Sequence, residues 1–138
     1  MDKVLNYLSL ARKAGLAELG EEPVGAAARA LQAHLIVVAS DASDHTWRRA
    51  KSFAAGTRQQ CVRLPHTKDE MGFAIGRTSL AIAAITDPAL ALALVQALGQ
   101  PEKHAAVLEV LSDRTKQTRQ RRTEAKAHQK NVRMGKKK

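Results

Sequence analysis

A run of apolar residues in this sequence ends abruptly in small polar side chains that could hold a ligand. In LIVVASDASDHT, residues 35–46, the polar part supplies Ser40, Asp41 and Ser43. Hydroxyl and carboxylate oxygens of this kind accept hydrogen bonds from the free N–H groups at the start of a helix. The same residue types are also common in loops that bind ligands. The residues themselves leave both roles open: Ser43 or Asp41 as the cap of the next helix, or the whole stretch as the border of a binding site.

Few other residues are arranged for chemistry. The sequence has no GxxxxGK[ST] or GxGxxG motif, no HExxH motif and a single cysteine, so we expect no phosphate loop, metal site, disulfide or cofactor. Cys61 with His66 could form a nucleophile and a base, and Asp41 with Asp44 could form a pair of carboxylates. A buried structural thiol and a helix cap explain these residues more simply. We therefore expect no catalytic residues and no enzyme.

The positive charge is concentrated near the C-terminal end. Residues 113–138 contribute +9 of the net charge of +10, with 11 Lys or Arg against Asp113 and Glu124. This imbalance favours a polyanionic partner, and RNA fits better than a membrane because Val132 and Met134 are the only bulky apolar groups available. A solvated, disordered end is the alternative. The side chains we expect to contact RNA are Arg114, Lys116, Arg119, Arg121 and Arg122.

Apolar periodicity and capping signals predict alternating helices and strands. Thr67 and Glu70 form a capping box at one helix start. The segments 35–39 and 80–85 are apolar on both faces, as expected of strands covered by helices on both sides. The predicted helices are 2–15, 21–33, 43–55, 67–76, 87–99 and one after Pro101, and the predicted strands are 16–19, 35–39, 61–64 and 80–85. This order predicts an α/β fold, namely a three-layer α/β/α sandwich around a small mixed sheet of about four strands.

The length and the breaks at Gly99 and Pro101 predict one domain over residues 1–100. A basic extension over residues 101–138, partly helical or disordered, is expected to follow. No run of about 18 apolar residues occurs, so we expect no membrane span. Without a targeting signal, the cytoplasm is the expected location. The sequence predicts no oligomeric state.

Three segments taken together resemble a known RNA-binding family. They read AGLAELGEEPVGAAARAL, LIVVASDASDHT and MGFAIGRTSLAIAAITD. Their order and spacing are similar to those of the kink-turn RNA-binding ribosomal proteins of the large-subunit seven-Ae and thirty-e type, and most of all to the small bacterial YlxQ-like branch. The resemblance covers roughly residues 4–95. It implies the same sandwich fold and non-enzymatic binding of structured RNA, either kink-turn-like or ribosomal.

The resemblance also implies an RNA site made of three loops that would grip the tandem sheared G·A pairs of a kinked RNA. Carboxylates there would accept hydrogen bonds from guanine, free N–H groups at a helix start would meet phosphate or base acceptors, and Arg77 would contact phosphate. The residues concerned are Gly20, Glu21, Glu22 and Val24 in the first loop, Ser40, Asp41 and Ser43 in the second, and Gly76, Arg77 and Thr78 in the third.

The sequence departs from the family pattern at three positions. Leu16 and Ala26 stand where the family usually has lysine, and Glu22-Pro23 stands where archaeal members have Asn-Glu. Each missing cation is expected to weaken binding to phosphate and to lower its salt dependence. The alternative function is that of a ribosome-associated or assembly protein that acts mainly through protein contacts.

Overall fold

The computed structural model of the protein describes residues 2–134, and within them the side chains of residues 2–125. Five helices alternate with four strands along this part of the chain, a sixth helix follows, and the predicted α/β fold is confirmed. The helices are α1 Lys3–Lys13, α2 Glu21–Arg29, α3 Asp44–Ala54, α4 Lys68–Ala74, α5 Pro88–Leu98 and α6 Ala105–Met134, and the strands are β1 Ala17–Leu19, β2 Leu35–Val38, β3 Gln60–Arg63 and β4 Ile82–Ile85.

The four strands form one mixed sheet in the order β1-β4-β2-β3. Strand β4 is antiparallel to both of its neighbours, β1 and β2, whereas β3 runs parallel to β2. Every residue of β2 and β4 is buried. The two segments predicted to be buried strands from their apolar composition are therefore the two central strands of the sheet.

Helices cover both faces of the sheet. Leu35 and Val37 of β2 belong to a core cluster shared with α1, α4, α5 and α6. Ile36 and Val38, which point to the opposite face, belong to a second cluster shared with α2 and α3. Successive side chains of a strand alternate between the two faces, so a strand covered on both sides has to be apolar throughout. The result is the predicted three-layer sandwich.

Helix α2 is shorter than the predicted span of 21–33. It ends at Arg29, and Leu31 adopts a positive φ of 59°. The N–H of Gln32 then bonds to the carbonyl of Ala27, at 2.9 Å, which closes the end of the helix. The prediction was too long because the sequence lacks a glycine at this point, and leucine is an uncommon residue for the left-handed conformation.

Helix α6 returns along α5, in the direction opposite to it. At one end, Leu98 and His104 line a common surface cavity, and at the other Arg122 approaches Asp87, the N-cap of α5. Leu111 is fully buried and Thr115 nearly so. The first half of α6 therefore contributes to the core, although it follows the break at which a domain boundary was predicted. The side chains of residues 126–138 lie outside the described part.

The start of α1 is tied to the loop after β3. Asp2 Oδ1 accepts a hydrogen bond from the N–H of Leu5, at 2.9 Å, and Oδ2 is bonded to Nε2 of His66. His66 is buried, and its Nδ1 has no hydrogen-bond partner among the described residues. Partial burial would by itself raise the pKa of Asp2. The hydrogen bonds from Leu5 and His66 outweigh that effect, so the pKa lies below its usual value.

Replacing Asp2 is therefore expected to destabilise the fold. Asp2→Ala removes the helix cap and leaves Nε2 of a buried imidazole without its partner, which should lower the free energy of unfolding by about 2 kcal/mol. Asp2→Asn keeps an oxygen for the Leu5 N–H and should cost less. Because the pKa of Asp2 is lowered on folding, its carboxylate stabilises the fold above the unfolded pKa. That stabilisation is lost as the pH falls through the folded value.

The measurement is denaturant unfolding of wild type and the two variants at neutral pH and over a series of acidic pH values that extends well below the ordinary pKa of aspartate. The difference in the free energy of unfolding between wild type and Asp2→Asn should be present at neutral pH and should disappear in acid. A difference of the same size at neutral and acidic pH would contradict the role given to the Asp2 charge.

Candidate nucleic-acid interface

The register of β4 brings three loops to one end of the sheet. Strand β4 begins where β1 and β2 end, with Leu19 opposite Ala83 and Val38 opposite Ile82. The pairing continues into the loops, because Gly20 N–H bonds to the carbonyl of Ile82 at 3.0 Å. The loop after β1, the loop after β2 and the loop before β4 therefore meet. We call this surface the three-loop rim; it consists of Gly20–Glu22, Ser40–Ser43 and Gly76–Ser79.

Hydrogen bonds between loops hold the rim in place. The N–H of Ser40 bonds to the carbonyl of His66, at 2.8 Å. Asp41 Oδ1 accepts a hydrogen bond from the N–H of Lys68, also at 2.8 Å, and the carbonyl of Lys68 accepts one from Leu80 N–H at 3.0 Å. The start of α4 thus connects the second loop to the third. These bonds position the rim without any ligand.

Gly72 allows the third loop to lie directly against α4. A Cβ atom at Gly72 would lie 2.7 Å from both the N and Cα atoms of Ser79 and 2.9 Å from the carbonyl carbon of Thr78. These are backbone atoms, which cannot move aside as the end of a side chain can. The glycine of the MGFAIG motif is therefore required for the close approach that places residues 76–79 at the rim.

The structure divides the two roles that the sequence left open for the ASDAS segment. Ser43 caps α3, since its Oγ accepts from the N–H of Thr46 at 3.1 Å. Asp41 does not cap that helix, as one version of the prediction had it, but bonds to the first residue of α4. The donor to this carboxylate, the N–H of Lys68, is 27 residues further along the chain. The local sequence therefore does not indicate the contact. Ser40 and Asp41 are exposed at the surface.

The first loop offers both donors and an acceptor. Gly20, at φ 97°, precedes α2 with no side-chain cap, so within the described residues the N–H groups of Glu21 and Glu22 have no partner. Glu22 is exposed, and no hydrogen bond or ion pair joins its carboxylate to another described residue. Glu21 differs, because its Oε1 accepts from Nε of Arg49 at 2.9 Å. Glu22 is thus the free carboxylate of this loop.

Val24 was predicted to lie in the RNA site, and that prediction is wrong for its side chain. Its exposed fraction is 0%, and the side chain packs in the cluster beneath α2 and α3. Its N–H is also used, in the first hydrogen bond of the helix to the carbonyl of Gly20. The position lies near the rim in sequence, but the turn of the helix directs it into the core.

The third loop presents its side chains to solvent. Gly76, Arg77 and Thr78 are exposed, and Gly76 has a φ of 74°. The N–H of Arg77 bonds to the carbonyl of Gly72 at 2.8 Å, which fixes its backbone while the guanidinium stays accessible. This loop therefore adds a cation and a hydroxyl to the rim.

The two positions where the family usually has lysine lie in different places. Ala26 is exposed on α2 and shares a face with Glu22, four residues earlier. Leu16 is partly buried at the other end of β1, and its carbonyl accepts from the N–H of Thr86. Leu16 is four residues before Gly20, which is about 13 Å along an extended chain. A lysine at Leu16 would therefore start at the end of β1 that is remote from Glu22.

The arginines predicted to bind RNA on α6 are not at the rim. Asp87 follows β4 at the opposite end of the sheet, and Nη2 of Arg122 approaches its Oδ1 at 3.8 Å. Arg114 is partly buried. This burial lowers its pKa, and the nearby charges of Arg58 and Arg121 lower it further. Lys116 and Arg119 are exposed on the same helix. The structure thus separates the predicted site residues into two groups.

Two basic side chains lie next to Glu21 that the sequence does not indicate. Besides Arg49, His45 lies beside Glu21, with 3.9 Å between Nε2 and Oε1. Arg63 stacks on the ring of Trp47, with 4.8 Å from the guanidinium carbon to the ring centroid. These contacts join α3 to α2 and β3. No spacing in the sequence indicates them, because the partners are brought together only by the fold.

The described residues offer little for catalysis or metal binding. Burial raises the pKa of the Cys61 thiol to about 12 against the opposing charges of Lys51 and Arg63, so it is protonated at neutral pH. His66 is bonded to Asp2, and Cys61 packs in the cluster beneath α3. No group of three metal-ligating side chains occurs in the described part of the chain. Within the same part, no helix has the length and apolar character needed to cross a membrane.

Comparisons with known proteins identify the fold. No family model matches the chain, and no curated protein matches its sequence. A protein of unknown function from Bacillus halodurans C is similar in structure, with a TM-score of 0.66 and 24% identity over 71% of this chain and 98% of that one. The 15.5 kD RNA binding protein of Giardia lamblia is also similar, with a TM-score of 0.58 and 17% identity over 72% of this chain and 84% of that one. The chain therefore shares its fold with an RNA-binding protein.

Gly72→Ala is expected to disturb the third loop of the rim. The added methyl group meets the backbone of Ser79, so the loop has to shift, and overpacking of this kind costs about 2 kcal/mol. Gly25→Ala is the matched control, because Gly25 is also helical and buried, and the neighbours of its Cβ are the ends of the Phe53 and Arg29 side chains. The better helix propensity of alanine offsets the smaller crowding there.

Chemical denaturation and amide chemical shifts of both variants test this difference. Gly72→Ala should unfold at lower denaturant concentration and shift the amides of residues 76–79. Gly25→Ala should stay near wild type. Equal stability of the two variants would show that the close approach does not constrain the loop.

Proposed function

We propose that the protein binds structured RNA through the three-loop rim. The observation that carries the proposal is the convergence of three loops, distant in sequence, at one end of the sheet. These loops leave free donors, a free carboxylate and an exposed guanidinium on one surface. The shared fold with the Giardia RNA binding protein supports the proposal.

The chemistry of the rim suits base edges as well as phosphate. The free N–H groups of Glu21 and Glu22 stand at the positive end of the α2 dipole, where phosphate oxygens or base acceptors bind. The carboxylate of Glu22 can accept from the imino and amino groups of guanine. The guanidinium of Arg77 fits a phosphate oxygen pair. Ser40 and Thr78 add hydroxyls that can bond to a 2′-OH.

The balance of charge at the rim favours recognition by shape over general attraction. Glu21, Glu22 and Asp41 outnumber its one cation, Arg77, and the nearby Arg49 is already paired with Glu21. A surface with this balance attracts an RNA duplex weakly. We therefore propose a kinked RNA with exposed guanine edges as the ligand, of the kind that tandem G·A pairs create and that ribosomal RNA contains.

The Glu22 carboxylate should distinguish this RNA from a plain duplex. Glu22→Gln removes a charged acceptor while keeping the size and shape of the side chain. The affinity for a kinked RNA with tandem G·A pairs should fall by about 1–2 kcal/mol, or roughly 5- to 30-fold. The affinity for a plain duplex of equal length should stay the same or rise slightly, because one negative charge is lost.

Glu109→Gln is the control, because it removes an equal charge from an exposed glutamate on α6, outside the rim. The measurement is a titration of both RNAs with wild type and the two variants. Glu22→Gln and Glu109→Gln should differ on the kinked RNA alone. If they behave alike on both RNAs, Glu22 does not read a base and the rim is not the specific site.

Protein contact is the second candidate function, and Phe73 is the observation that favours it. Its side chain is 77% exposed on α4, beside Asp69 and Glu70. An aromatic ring this exposed is a frequent anchor in protein interfaces. A ribosome-associated or assembly protein would use such a surface. Absence of RNA binding in the titration above would favour this candidate.

A further inference from the structure

We propose that the end of the sheet opposite the rim is a second RNA-binding surface, which grips the phosphate backbone of a separate RNA segment. We call it the far-end cluster, and it consists of Arg58, Arg114, Arg121 and Arg122. The inference rests on the proposed RNA-binding function and goes beyond it, because it gives one chain two RNA surfaces. It also assigns the α6 arginines to a different surface from the rim.

The topology places these residues together. Strands β2 and β3 start at this end, β4 finishes there, and Arg58 lies two residues before β3. Asp87 follows β4, and Arg122 reaches it from α6. Arg114 and Arg121 are seven residues apart on α6, which is two helical turns, so they lie on one face.

The electrostatic surroundings of Arg114 agree with this placement. Partial burial is the larger cause of its lowered pKa, and the neighbouring charges of Arg58 and Arg121 lower that pKa further. Burial lowers the pKa of His34, the residue before β2, and the charge of Arg114 lowers it further while Asp87 opposes the change. Arg114 therefore lies near the beginning of β2, next to other cations.

These cations have little compensation within the described residues. Asp87 uses Oδ2 to cap α5, accepting from Leu90 N–H at 2.9 Å, and only Oδ1 is left for Arg122. On α6 itself, Asp113 is the residue before Arg114, and Glu124 accepts from Nε2 of Gln120 at 3.2 Å. Arg58 and Arg121 repel Arg114, and this repulsion costs folding energy unless an anion relieves it.

The ends of neighbouring helices add to the same charge. Helices α1, α2 and α3 each lead into a strand or loop at this end, and their last turns carry basic residues. Those residues are Arg12, Lys13, Arg29 and Lys51. Cations in a last turn complement the helix dipole and need no ligand to explain them. The far-end cluster lacks that explanation, because Arg58 is in a loop and the α6 arginines are in mid-helix.

Phosphate is the anion that fits, because guanidinium groups match phosphate oxygens in pairs and a row of them follows a phosphate backbone. The distance to the rim favours a separate segment. His34 and Ser40 mark the two ends of β2, and six extended residues span about 20 Å. One RNA contact at each end would make the protein a bridge between two RNA segments.

The test neutralises three far-end arginines in the full chain and counts bound RNA. The variant is Arg58→Gln with Arg114→Gln and Arg121→Gln, which leaves the Arg122–Asp87 pair intact. The matched control removes three exposed cations elsewhere, by Lys3→Gln, Arg48→Gln and Lys103→Gln. The probe is a short RNA hairpin with tandem G·A pairs, in excess over protein, with stoichiometry read by native mass spectrometry and affinity by titration at several salt concentrations.

Wild type and the control should bind two hairpins per chain. The far-end variant should bind one tightly, with the second association roughly tenfold or more weaker, and its salt slope should fall by about 2–3 units. A single hairpin on wild type, two on the far-end variant, or an equal loss in the control would overturn the proposal. With any of these results, a tight hairpin that still depends on Glu22 would leave the proposed function standing. If no hairpin binds to wild type, both proposals are overturned.

Discussion

The antiparallel pairing of β4 between β1 and β2 is the constraint on which the rest of the structure depends. Because β4 runs opposite to both neighbours, its first residue meets their last residues, and three loops come to one end of the sheet. The pairing is possible because every position of β4 and β2 is apolar and covered by helices on both faces. A shift of one residue would turn each side chain to the wrong core cluster, so the register is fixed and the loop positions with it.

The two ends of the sheet differ in chemistry. At the rim, free N–H groups, the Glu22 carboxylate and the Arg77 guanidinium offer directed hydrogen bonds amid mixed charge. At the other end, arginines from a loop and from α6 gather, and among the described residues Arg122 alone of the four has a carboxylate partner, Asp87. Directed bonds discriminate between RNA shapes, whereas clustered cations supply affinity that depends on salt. We propose that the chain uses the first for specificity and the second for a further phosphate backbone.

Much of the fold could be predicted from local signals, and the failures have physical causes. The capping box at Thr67 and Glu70 and the apolar run over residues 80–85, of which 82–85 form β4, marked real elements, because caps and burial act on neighbouring residues. The end of α2 was misplaced, since Leu31 takes up a left-handed conformation that its side chain does not favour. Residues 101–138 were predicted to form an extension outside the domain, but Leu111 and Thr115 hold the first half of α6 against the body.

The candidate site was harder to predict because its roles depend on contacts distant in sequence. Asp41 serves α4 and Glu21 is paired with Arg49, 28 residues away, so neither is free as its position suggested. Val24 is buried by the rotation of its helix. Nothing local in the sequence indicates that the α6 arginines lie at the opposite end of the sheet, because that follows from the direction in which α6 returns along α5.

Amide chemical shifts recorded while the full chain is titrated with a kinked RNA test the central claim most directly. The claim is that RNA binds at the three-loop rim. We expect the first equivalent of RNA to shift the amides of Glu21, Glu22, Ser40, Arg77 and Thr78, which lie on three separate loops. Shifts confined to α6, with the amides of the three loops unchanged, would contradict the claim and show that the chain holds RNA through charge alone.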